Sequence, residues 1–268
     1  MMEYTVRYGL EFNPFAKNSK EILFESKEFK EVQFRLDYLS KTMGFGILTG
    51  EPGRGKTTAV RNWTSKLNPS LFKVVYTSLS TLSVGDFYRN MAAELGAEPA
   101  SRKPENFRRI QAEINRLALE KRKTPVIIID EADHVPGDVL SDLKMLFNFE
   151  MDSKDRAVIL MIGLPRLNTT LNQSAHEAIR QRLVMNYNMD PLSKEEARSY
   201  IEEKLRGAGC TQAVFEEEAI EAILNSADGS PRLISKLCTQ SMIMANIKEL
   251  STVNADAAMN AISDCELI

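Results

Sequence analysis

Cysteine is scarce in these 268 residues: Cys210, Cys238 and Cys265 stand far apart, with no Cys-x-x-Cys pair and an odd total. That pattern supports neither a disulfide framework nor a zinc site and suits thiols in a reducing compartment. Long apolar runs are missing as well. The longest, such as Val126 to Ile129 and Ala157 to Ile162, fall far short of the roughly 18–20 residues that cross a bilayer. The opening Met1-Met2-Glu3-Tyr4 lacks the basic stretch and apolar segment of a leader. The expectation is a cytoplasmic protein with no membrane partner. Repeats, low-complexity tracts and Pro/Gly-rich linkers are absent too. With 43% hydrophobic and 26% charged residues, disorder is excluded, and the length suits one large α/β domain or such a domain with a small companion.

Net charge is only −3, but it is unevenly spread. Residues 191–268 carry thirteen acidic against seven basic side chains. The preceding part is mildly basic, with its hot spot at residues 101–124, where eight basic residues, Arg102, Lys103 and Arg108 among them, face three glutamates. Such a stretch is either a solvated helix face or an anion-binding surface.

Hydrophobic periodicity alternates helices and strands up to about residue 190. Glu28 to Lys41 places Phe29, Val32, Leu36 and Leu39 at helical spacing, and Gly44 to Thr49 reads as a short buried strand entering a glycine turn. Helices are expected over Thr57 to Leu67, Val84 to Leu95, Glu105 to Lys121 and Val139 to Phe149, with strands over Lys73 to Thr77, Val126 to Ile129 and Ala157 to Ile162. This alternation predicts parallel strands with crossover helices. After Pro191 only helices are expected: Lys194 to Arg206, Glu216 to Ala227, Pro231 to Ile247 and Asn254 to Ser263. The sequence thus divides into a 1–190 core and a 191–268 all-α part.

Gly50-Glu51-Pro52-Gly53-Arg54-Gly55-Lys56-Thr57 fits G-x-x-x-x-G-K-[ST] at every fixed position, between a predicted strand and a predicted helix. In that motif the glycines let backbone N–H groups face phosphates, the lysine reaches the β- and γ-phosphates, and the hydroxyl residue meets Mg²⁺. The following helix adds its positive dipole end, with Thr58 in its first turn. A second acidic motif, Asp130-Glu131, ends the β-branched run. A carboxylate at the tip of a buried strand needs a partner, and Mg²⁺ on nucleotide phosphates would supply one for Asp130. Glu131 would orient the attacking water. The spacing from Lys56 to Asp130 leaves space for an extra strand and two helices, which favours the ATPase branch of P-loop folds with an inserted central strand. Asp130-Glu131-Ala132-Asp133 also spells the box of a helicase class, which needs a second motor domain that this length does not accommodate.

Further short strings share this order: Tyr8-Gly9-Leu10 with Asn13-Pro14-Phe15, then Ile162-Gly163-Leu164-Pro165-Arg166-Leu167, Arg180-Gln181-Arg182, Pro191 to Glu196, and Gly229-Ser230-Pro231-Arg232. Together they resemble bacterial AAA+ ATPases of the ExeA and TniB/TnsC kind, which include ATP-binding helper subunits of transposons. The resemblance implies an α/β P-loop AAA+ core with a parallel sheet, followed by a small all-α lid. It implies that Asn13, Pro14 and Phe15 border the adenine pocket and that Arg232 is a sensor-2 arginine reaching the γ-phosphate. It also makes Arg182, with Arg180 as its rival, the arginine finger offered to a neighbouring subunit. Two of these have a plainer reading, an N-terminal turn for Asn13 to Phe15 and surface ion pairs for Arg182 and Arg180. One position departs from the pattern: Leu164 stands where a polar sensor-1 residue is expected, and leucine cannot donate a hydrogen bond. Asn168 is the candidate substitute.

The function this implies is an ATP- and Mg²⁺-dependent ATPase that assembles as a ring or filament on double-stranded DNA and recruits a transposase. Contacts to DNA are expected mostly at phosphates, with Thr77, Ser78, Ser80, Thr81, Arg102, Lys103 and Arg108 as candidates. The alternatives are a secretion-associated ATPase of the ExeA type and a nucleotide-switched regulator acting on a protein partner without DNA.

Overall fold

The computed structural model describes residues 4–17, 19–77, 83–150 and 154–266. The chain forms two units, one of Glu31–Glu51 and Lys56–Met189, the other of Met1–Lys30, Pro52–Gly55 and Asp190–Ile268. Each has its own apolar core. In chain order the elements are α1 (Tyr4–Arg7), α2 (Lys27–Thr42), β1 (Gly44–Thr49), α3 (Lys56–Lys66), β2 (Phe72–Thr77), α4 (Val84–Leu95), α5 (Lys103–Asn115) and β3 (Thr124–Ile129). They continue with α6 (Gly137–Leu146), β4 (Val158–Gly163), α7 (Arg166–Leu171), α8 (Glu177–Arg180) and β5 (Leu183–Asn188). The chain closes with α9 (Lys194–Gly207), α10 (Glu217–Ala227), α11 (Pro231–Ile247) and α12 (Ala255–Glu266).

The first unit is built on a parallel five-stranded sheet of order β2-β3-β4-β1-β5. β1 and β4 are buried along their whole length and β3 along all but its first residue, which explains their uninterrupted apolar sequences. Each buried Val, Ile or Leu there contributes about 1.5–3 kcal/mol relative to exposure. β4 lies between the strand that enters the glycine turn and the strand that ends at Asp130. After α3 the intervening stretch holds one further strand and two further helices, β2, α4 and α5, as the motif spacing anticipates. β5 was not anticipated. It is an edge strand with mixed exposure, and Asn186 and Asn188 are residues that strands disfavour.

The expected single helix over 105–121 divides. α5 stops at Asn115 and a π turn follows over Arg116–Glu120, closed by Lys121 N–H donating to Arg116 O at 3.0 Å.

The helical unit includes more than residues 191–268. Tyr8, Leu10 and Phe15 are buried in its core with Leu192, Phe215 and Leu237. Arg7 ties α1 down through Asn246 Oδ1 (2.7 Å) and Glu249 O (3.1 Å), and Glu11 N–H donates to Ala208 O at 2.9 Å. The 1–190 core of the sequence reading therefore differs from this grouping, because the N-terminal apolar residues complete the helical core. α9 starts with a capping box in which Ser193 accepts from Glu196 N–H and Glu196 accepts from Ser193 N–H. Among the described residues no helix is long and apolar enough to cross a membrane.

Candidate functional site

The carboxyl ends of parallel strands are where open α/β sheets bind ligands. Here Thr49 pairs in register with Gly163 and Asn188, and Thr77 with Ile129, so polar residues following the strands gather along one edge. β1 leads into the Gly50–Thr57 loop and α3 begins at Lys56. Gly53 (φ 81°) and Gly55 (φ 98°) occupy the left-handed region, which a side chain strains. A Cβ on Gly53 would also come within 2.6 Å of Ser230 Oγ and 2.9 Å of Arg232 Cβ. The first turn of α3 has no acidic residue, leaving its N–H groups and dipole end suited to anions. Lys56 Nζ donates to Gly50 O (2.6 Å) and Glu51 O (3.0 Å).

Asp130 follows β3, and its N–H donates to Thr77 O at 2.9 Å. Its carboxylate is held on both sides. Oδ1 accepts from Glu131 N–H (2.9 Å), while Oδ2 accepts from Tyr76 OH (2.7 Å) and stands 3.4 Å from Thr57 Oγ1. Partial burial, and then the hydrogen bond and negative charge of Asp130, push the Tyr76 phenol well above its usual range, so it stays a donor. Glu131 is exposed with φ 53°, a left-handed conformation costing a non-glycine residue about 1–3 kcal/mol. Strain of this kind gathers at functional positions.

These residues fit Mg²⁺. A hydroxyl and a carboxylate are brought together at the foot of the loop, and Mg²⁺ takes one or two carboxylates plus phosphate and water oxygens. Bound nucleotide phosphates and water would supply the remaining oxygens.

At the end of β4 the polar group comes from a residue that sequence reasoning had not assigned. Leu164 offers only its N–H, which donates to Asp133 Oδ1 at 3.0 Å, and Arg166 Nε donates to Asp133 Oδ2 at 2.7 Å. Burial of Asp133, whose side chain is 2% exposed, works against its charge. The hydrogen bonds from Leu164 and Arg166 outweigh it and hold the carboxyl below the usual range. Asn168 is directed to β1: its Nδ2 donates to the buried Thr49 Oγ1 (3.1 Å), which lies 3.1 Å from Asn188 Oδ1.

The arginines sort differently. Arg182 is 14% exposed and donates to Lys144 O (3.2 Å), Phe147 O (3.1 Å) and Asp155 Oδ1 (2.8 Å), with its guanidinium 5.3 Å from the Phe45 ring. Arg180 donates to Leu171 O (2.6 Å) and Gln173 O (2.7 Å). Both thus tie segments of their own chain. Within the helical unit, exposed Arg232 follows the start of α11, with its N–H 3.4 Å from Gly53 O. Arg54 is held by Asp228, through O at 2.5 Å and Oδ2 at 3.3 Å. Asn13 caps the turn at Phe15 N–H (2.9 Å) and donates to Tyr4 OH (2.9 Å) and Thr239 Oγ1 (3.3 Å). Pro14 and Phe15 are buried there.

The DNA candidates disperse. Thr77 is 5% exposed and its hydroxyl accepts from Asn90 Nδ2 at 3.1 Å, so its side chain is turned inward. Ser78, Ser80 and Thr81 lie outside the described residues. Arg102 and Arg108 are exposed, whereas Lys103 pairs with Asp142 on α6 and lies 5.3 Å from the Tyr88 ring centre. Tyr76 and Asp133 were missed. Their signal is the pairing of β2 with β3 and the approach to the end of β4, which no local pattern shows.

A family model described as an AAA domain matches residues 39–171. The chain carries an AAA domain. Over 247 residues it is 32% identical to "General secretion pathway protein A" of Aeromonas hydrophila, covering 90% of this chain and 45% of that protein. Over 125 residues it is 30% identical to "ATP-dependent target DNA activator B" of Escherichia phage Mu, covering 46% and 37%. The chain thus spans less than half the length of these relatives. The ORC2 protein of Aeropyrum pernix, solved with ADPNP and ADP, superposes with a TM-score of 0.69 at 15% identity, covering 94% of this chain and 71% of that one. That likeness is one of fold. The parallel sheet and the C-terminal helices therefore belong to the AAA+ P-loop architecture anticipated from the motifs.

Proposed function

We propose that the AAA domain binds ATP with Mg²⁺ and hydrolyses it slowly as a switch. The observation that carries this reading is the meeting of the phosphate-loop hydroxyl Thr57 with Asp130, 3.4 Å apart. Loop amides and the N-terminus of α3 would receive the phosphates, and Lys56 would exchange the carbonyls of Gly50 and Glu51 for phosphate oxygens. Thr57 and Asp130 would hold Mg²⁺, which neutralises charge on the phosphates. Glu131 would orient the attacking water, and Arg232 is the arginine proposed to sense the γ-phosphate. Phosphate release measured on wild type and Glu131→Gln tests this: turnover is expected to fall by about 10²-fold or more in the variant, and equal rates would contradict it.

The partner reading is a homo-oligomer, ring or filament, formed in the ATP state on double-stranded DNA and engaging a transposase. Its support is the similarity to a target DNA activator and the exposed Arg102 and Arg108. Phosphate-directed binding predicts ATP-dependent DNA affinity that falls steeply with salt; filter binding that finds none at low salt would sink it. A second reading, a secretion-associated ATPase, is favoured by a similarity that extends over 90% of this chain. Nucleotide-dependent co-sedimentation with membranes, without DNA affinity, would select it.

A further inference from the structure

Tyr76 is 45% exposed on the edge strand β2, yet its hydroxyl makes the shorter of the two side-chain contacts to Asp130 Oδ2. The phenol stands at 2.7 Å, whereas Thr57 Oγ1 at 3.4 Å is long for an O–H···O bond, whose usual range is about 2.5–3.0 Å. With Oδ1 engaged by Glu131 N–H, the tyrosine is the side chain that stops the carboxylate rotating. It can do so because β2 pairs with β3 with Tyr76 opposite Ile128, two residues before Asp130. A phenol donates one hydrogen, so Oδ2 keeps acceptor capacity beside Thr57.

We propose that Tyr76 is a positioning residue for Asp130, fixing Oδ2 next to Thr57 so that Mg²⁺ joins the nucleotide at lower concentration. This rests on the ATP–Mg²⁺ reading above. Partners that orient a metal-ligating group are worth about 10–100-fold in metal affinity. The ring itself is dispensable: the effect belongs to the hydroxyl.

The test is equilibrium binding of N-methylanthraniloyl-ATP to the whole chain, titrated with Mg²⁺, for wild type, Tyr76→Phe and Tyr76→Leu. Half-saturating Mg²⁺ is expected to rise about tenfold in both variants, while binding in EDTA and the melting temperature in EDTA match the wild type. A Tyr76→Phe curve that superimposes on the wild type would overturn the proposal, as would a shift seen with Leu alone or a loss of melting temperature in Tyr76→Phe that tracks the binding change. Wild-type binding that ignores Mg²⁺ altogether would instead remove the ATP–Mg²⁺ reading on which the proposal stands. The two failures are thereby told apart.

Discussion

The sheet unit and the helical unit place their polar groups in opposite ways. In the first, polar side chains collect at the carboxyl ends of buried strands: Thr49 is 0% exposed, Thr77 5% and the Asp133 side chain 2%, and each has a hydrogen-bond partner. In the second, a main charged network is solvent-facing, with Arg198 bridging Glu217 and Glu221 between α9 and α10, while the core is apolar apart from the small hydroxyls of Ser26 and Ser241. Buried polar groups cost free energy unless paired; Asn106, Glu113 and His176 are buried on helices of the sheet unit, and those at the strand ends place that cost where chemistry is possible. Surface ion pairs cost and contribute little.

If that contrast is right, substitutions along the strand-end edge should dominate function and those on the helical surface should be mild. The largest effect is expected for Lys56→Ala, which removes the ammonium held by Gly50 O and Glu51 O; equilibrium binding should show nucleotide affinity lost altogether. Next comes Glu131→Gln, with turnover lowered by about 10²-fold or more, the scale of a positioned general base, while binding persists. Arg182→Ala follows. Because it leaves two carbonyls and Asp155 without this donor, chemical denaturation should show a loss of about 1–3 kcal/mol. A variant with wild-type stability and lost oligomer-dependent turnover would support the finger role instead.

Asp133→Asn should weaken the tie to Arg166, and the pH dependence has a definite sign. The folded carboxyl lies below its unfolded value, so its contribution is complete above an unfolded pKa of about 3.9 and is lost as pH falls through the folded pKa. Acid titration of unfolding should therefore show a steeper loss below about pH 4 in wild type than in Asp133→Asn. The smallest effect is expected for Arg198→Ala, whose melting temperature should shift less than that of Asp133→Asn. The reverse order of these two would break the contrast between the units.

Legibility followed the same division. The phosphate loop and Asp130-Glu131 could be read because their chemistry is local: glycines, one lysine and a hydroxyl residue within eight positions. β1, β3 and β4 were legible as continuous apolar runs. What escaped depends on pairing between distant segments. Tyr76 meets Asp130 only because β2 lies beside β3, and Asp133 meets Leu164 only because the turn after β3 reaches the end of β4. β5 escaped because edge strands need not be apolar on both faces. The basic stretch looked like one helix in sequence, but it runs through α5 and a π turn at Arg116–Glu120, and its Lys103 is paired with Asp142.

The central claim is that the strand-end edge of the AAA domain is an ATP–Mg²⁺ site. Isothermal titration of the wild-type chain with a non-hydrolysable ATP analogue, with and without Mg²⁺, tests it most directly. One saturable site per chain, tightened by Mg²⁺ and absent in Lys56→Ala, is the predicted result. Heat changes that do not saturate, or that are the same in Lys56→Ala, would contradict it.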